Sequence, residues 1–155
     1  MTGYQSILAP TDFSDSATDA VRAATGLARH YKAELHLLHI VAAQVYYTEM
    51  PEMMLPPIEG LSEQLRASAK EKLESLVSTL GKNLHLFVHV EESAARPADA
   101  IVETAANTRA DLIVIGSHGR TGLMHILLGS TAERVVREAG CDVLVIKPKK
   151  PLRHP

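Results

Sequence analysis

The sequence is poor in residues that stack or cross-link. It has no tryptophan, two phenylalanines and four tyrosines in 155 residues. Single-strand nucleic-acid binders need aromatic platforms for bases, and few exist here. Lys+Arg is 16 and Asp+Glu is 18, a net −2 with neutral histidines. With no basic run, the chain has no electrostatic footprint for nucleic acid. Its one cysteine, Cys141, excludes an intrachain disulfide and a cysteine-based zinc site. A reducing cytoplasm is the expected compartment. No stretch reaches the ~18 apolar residues of a membrane span. Residues 1–5 lack the basic and apolar regions of a signal peptide.

What is present is an alternation. The length suits one domain, here residues 1–155. Short apolar runs at 6–10, 35–41, 84–90, 111–115 and 142–146 read as strands. Between them lie helical periods at 17–31, 62–80, 97–105 and 130–137. Ser14 and Ser16 suit the first helix's N-cap, Pro97 a first turn, and Gly81 a C-terminal stop. Residues 44–60 break the rhythm, because Pro51, Pro56 and Pro57 exclude a regular helix or central strand. They read as a long loop, either a surface insertion or a lid or partner contact. Residues 149–155 read as a flexible tail. Alternating strands and helices predict right-handed crossovers and a three-layer α/β/α sandwich with a five-stranded parallel sheet.

In such a sheet, ligands bind outside the carboxyl ends of the strands. Two segments fall there: Ala9-Pro10-Thr11-Asp12, and the stretch from Gly116. The second carries glycines at 116, 119, 122 and 129, then Ser130 and Thr131. Glycines there permit positive φ and close approach to a ligand. Ser130 and Thr131 open a helix whose N-terminal N–H groups favour anions. The parts predict a phosphate cradle. The competing reading is a capping box, Ser130 with Glu133, which satisfies the helix start without a ligand. The glycines are not followed by Gly-Lys-Ser/Thr, so this is no Walker A loop, and they lack the dinucleotide G-x-G start.

The spacing Gly116-x2-Gly119-x9-Gly129-Ser130 resembles the nucleotide-binding motif of the universal stress protein family. The flanks Asp111-Leu112-Ile113-Val114-Ile115 and Ser130-Thr131-Ala132-Glu133, with the opening Ile7-Leu8-Ala9-Pro10-Thr11-Asp12, look like that family too. The resemblance covers about residues 4–148. It implies an adenine nucleotide alpha hydrolase-like (Rossmann-like) fold that binds ATP or AMP, in a homodimer joined through the last strand, 142–146. It implies that Gly116, Gly119, Gly129, Ser130 and Thr131 hold phosphates and ribose. Pro10, Thr11 and Asp12 would border the adenosine, and Val41 would line the adenine pocket. Many members have Gly-x-Pro before the third helix. Here Ala95-Arg96-Pro97 departs from that, at a point expected to lie away from the cradle.

Asp12 beside phosphates implies either a hydrogen bond to ribose or adenine, or a Mg²⁺ or Mn²⁺ ion between them. Its alternative is a helix-start cap with Ser14. Arg120 either neutralises phosphate or is merely solvated. The eight histidines complete no ligand set at metal spacing, so no protein-only metal site is expected. Cys141 reads as buried rather than reactive. No general base or nucleophile constellation accompanies the cradle, so slow or no ATP hydrolysis is expected. Two alternatives stand beside this regulatory reading. One is an enzyme of related fold, which lacks its Ser-Gly-Gly-x-Asp-Ser loop here; the other is a nucleotide-free dimeric interaction module.

Overall fold

Each apolar run becomes a parallel strand and each helical period crosses to the next. The structure, a computed structural model, describes residues 3–42, 60–93, 95–119 and 128–149. In order these are β1 (Ser6–Pro10), α1 (Asp15–Tyr31), β2 (Glu34–Val41), α2 (Leu61–Thr79), β3 (His85–Glu92), α3 (Pro97–Asn107), β4 (Leu112–Gly116), α4 (Ser130–Glu138) and β5 (Asp142–Ile146). The expected loop at 44–60, apart from Gly60, and the expected tail beyond Lys149 lie outside the described residues.

Local chemistry sets the ends of these elements. Ser14 caps α1, its hydroxyl accepting the Ala17 N–H at 3.2 Å. Lys32, at φ 57°, turns the chain out of α1. Pro97 occupies the first turn of α3, where a missing N–H costs nothing. Gly81, at φ +81°, follows α2 in the left-handed conformation that glycine adopts most easily.

The sheet order is β3-β2-β1-β4-β5, with every neighbouring pair parallel. The chain therefore leaves β1 in one direction through β2 and β3, then returns to the other side through β4 and β5. The order reverses between β1 and β4, so a crevice opens at their carboxyl ends. Side chains alternate between two apolar layers. Ile7, Ala9, Leu35, Leu37, Leu112 and Val114 pack with Val21, Ala24 and Leu73 of α1 and α2. Leu8, Leu38, Ile113 and Ile115 pack with Ile101, Ala105 and Val135 of α3 and α4. Each fully buried Leu or Ile contributes about 1.5–3 kcal/mol. At the amino ends, the Asp111 carboxylate accepts the N–H groups of Gln5 and Ser6 at 2.8 and 3.1 Å. Among the described residues, no helix is long and apolar enough to cross a membrane.

Candidate functional site

Beyond β1 the chain turns sharply and holds itself in place. The Thr11 N–H still donates to Leu38 at 2.8 Å. Phe13 takes φ 63°, and its N–H donates to the Thr11 hydroxyl at 3.0 Å. The Ser14 N–H donates to Asp12 Oδ1 at 3.0 Å. His39 Nδ1 lies 2.8 Å from the Thr11 carbonyl, and the Phe13 ring lies 4.7 Å from the His39 ring. Asp12 thus braces the helix start and also borders the crevice.

Beyond β4 the glycines serve proximity. Gly116, Gly119 and Gly129 do not use the positive φ that glycine permits. A Cβ on Gly116 would meet Ser16 Oγ at 2.6 Å and the Ser16 backbone at 2.8 Å. Glycine is needed there because α1 lies against the strand end. A Cβ on Gly119 would come within 3.2 Å of Asp12 Oδ2, which marks where the two loops meet. Ser117, fully buried, ties the crevice together. Its N–H donates to Ile146 at 2.9 Å, and its carbonyl accepts the Gly129 N–H at 2.7 Å. Its hydroxyl lies 2.7 Å from His118 Nδ1.

The capping box does not form. Gly129, in extended conformation, is the N-cap of α4, which has no side-chain cap hydrogen bond. The Glu133 carboxylate instead accepts from Arg137 at 2.7 Å. Ser130 therefore sits one position inside the helix. The N–H groups of Ser130, Thr131 and Ala132 have no intrahelical acceptor, as in any first turn.

These elements enclose a cavity of about 480 Å³. Pro10, Thr11 and Asp12 line it from the first loop, and Gly116, Gly119, Gly129, Ser130 and Thr131 from the second. Arg120 lies outside the described residues. Val41 does not line the cavity. Alternation along β2 turns Leu38 and Ile40 to the cavity and Val41 to the opposite face. Leu38, Ile40, Ile101 and Ile115 give the cavity an apolar part beside the polar helix start. Sequence reasoning passed over these four, although the period of two in β2 marks Leu38 and Ile40 as partners. Pro97 also lines the cavity, so the departure at 95–97 is not remote from it.

Other titratable groups lie elsewhere. Burial pushes the Cys141 thiol up, helped by Asp142 and Asp111, so it resists forming the thiolate. A hydrogen bond to Asp142 raises the Tyr4 hydroxyl. Among the described residues, no three His, Cys, Asp or Glu side chains are grouped to hold a metal ion.

A doubly wound α/β sheet with a cavity at its switch point, faced by a glycine-rich turn and a helix start, defines a structural class of α/β proteins. Within it, the universal stress protein family model matches residues 3–147, and the chain belongs to that family. It is 38% identical over 152 residues to a universal stress protein of Methanocaldococcus jannaschii, covering 95% of this chain and 85% of the relative. The structure of universal stress protein UspA from Lactobacillus plantarum is similar, at TM-score 0.74 and 26% identity, over 94% of this chain and 99% of that one. A family member in complex with cAMP matches at TM-score 0.63 and 26% identity, over 93% and 97% of the two chains. One from Archaeoglobus fulgidus in complex with dAMP matches at TM-score 0.63 and 25% identity, over 95% and 100%.

Proposed function

We propose that this chain binds an adenine nucleotide, ATP or AMP, and acts as a regulatory module by ligand occupancy. The observation that carries the reading is the meeting of the two loops around one cavity. Eight of the ten expected site positions line it: Pro10, Thr11, Asp12, Gly116, Gly119, Gly129, Ser130 and Thr131. The N–H groups and hydroxyls at the start of α4 suit phosphate oxygens. The surface of Leu38, Ile40, Ile101 and Ile115 suits a flat apolar base. Structural neighbours in complex with cAMP and dAMP support the adenine class. Asp12 would face the phosphates, so a triphosphate would bring Mg²⁺ or Mn²⁺ to offset that repulsion, and Arg120 would add a cation. Occupancy joins the ends of β1 and β4, and a ligand shifts the protein only by its differential affinity for two states. Hydrolysis is slow or absent in this reading, and the protein works in the cytoplasm as a homodimer paired through β5.

The test is mass spectrometry of small molecules released from protein purified without added nucleotide, followed by titration with ATP, AMP and Mg²⁺. ATP or AMP near one per chain supports the reading. A protein that stays empty through the titration overturns it. The second reading, a nucleotide-free interaction module, draws on one observation: packing against Ser16 accounts for Gly116 without any ligand.

A further inference from the structure

Strands β2 and β3 carry a second group of titratable side chains. The register sets Glu34 beside His85, His36 beside Phe87, and Leu38 beside His89. All six share one face of the sheet. His36 is only 6% exposed. Its Nδ1 lies 2.9 Å from His89 Nε2, and the Phe87 ring stacks on it at 4.9 Å. Its Nε2 is buried without a hydrogen bond, 3.5 Å from the Glu34 carboxylate.

The proton count of this arrangement is limited. The two rings have four nitrogens, and two of them face each other across 2.9 Å. A neutral pair has two N–H groups, one of which bridges the rings. One added proton is accommodated: a single hydrogen stays in the bridge, His36 Nε2–H points to Glu34, and His89 Nδ1–H points outward. A second added proton puts N–H against N–H across the bridge and joins two like charges, so the contact opens.

We propose that His36 and His89 form a one-proton latch that fastens the edge strand β3 to β2, and that a second proton releases it. Other groups bias the threshold. Glu34 on β2 favours the first proton. On β3, Glu91 favours charge on His89, while His85, in register with Glu34, adds a like charge when protonated. From α3, Ala98, Ile101 and Ala105 pack into the apolar layer on this face. Burial and His36 together hold His89 below the ordinary histidine value. Release would reach the cavity, because His89 is in register with Leu38, which lines it.

The experiment follows histidine ring nitrogens by NMR in the full ¹⁵N-labelled chain, with EDTA, as pH falls. Amide exchange along β2 and β3 is measured in parallel. We expect the pair to take up its two added protons in separate steps, with the His89 ring responding below the ordinary histidine value. Exchange of β3 amides should quicken through that second step. In His89→Gln, the acid-linked exchange should vanish. Glu34→Gln, on an exposed side chain, should lower the first step and leave the fold intact. Independent titration of both rings near the ordinary value overturns the latch. So does β3 exchange that ignores the second step. Removal of both steps by one equivalent of zinc chloride, without EDTA, would make the pair a metal clip instead.

Discussion

Gly116 and Ser130 line the same wall of the cavity and answer to different forces. Gly116 is held by sterics, because Ser16 leaves no room for a methyl group. Gly116→Ala should destabilise the chain by about 1–3 kcal/mol, the usual cost of overpacking, measurable by urea unfolding. Ser130 is neither a cap nor packed in the core. Ser130→Ala should leave unfolding nearly unchanged while weakening nucleotide binding about tenfold, on the scale of one hydrogen bond to a charged group. Calorimetric titration beside a melting curve separates the two effects. A stability loss of about 1 kcal/mol in Ser130→Ala would restore the capping role that the structure denies it.

At the scale of elements, the sequence was legible at several ends set by local chemistry. Ser14, Pro97 and Gly81 each mark an end that the structure places within a residue or two. The glycine spacing likewise located the second cavity wall. What it did not display was direction. Whether Val41 or Ile40 faces the cavity depends on the phase of β2, set by its register with β1, Pro10 against Leu38. The role of Gly116 depends on how near α1 comes, a tertiary distance that no local pattern encodes. The edge strand β5 carries another prediction. Its Leu144 is 39% exposed, and unpaired strand edges invite pairing. If β5 joins two copies, Leu144→Lys should shift the light-scattering mass from two chains toward one. A wild-type mass of one chain at micromolar concentration removes the dimer.

For the whole molecule, stability should depend on both ligand and acid. A nucleotide that binds only the folded state, at a hundred times its dissociation constant, adds about 2.7 kcal/mol. The melting temperature should rise accordingly with AMP, and not with inorganic sulfate at equal ionic strength. Acid should act oppositely. His89 is held below its ordinary value when folded, so the unfolded chain takes up its proton first. The stability this group supports is complete above about pH 6.5 and drains away as pH falls toward the lower folded value. Urea midpoints collected against pH should show that slope, and His89→Gln should flatten it.

The sheet order also has a meaning in time. β1 pairs with β2 after one short crossover, but its partner on the other side, β4, begins more than a hundred residues later. On the ribosome, the β1–β2–β3 half can assemble while one edge of β1 stays bare. The turn at Pro10–Asp12 then has no opposing wall. Arrival of β4 covers that edge, and α4, which follows it in the chain, completes the cavity. If the cavity takes nucleotide as proposed, a growing chain can first hold it once its central strand has found its last neighbour, and ligand capture during synthesis would time the closing of the sheet.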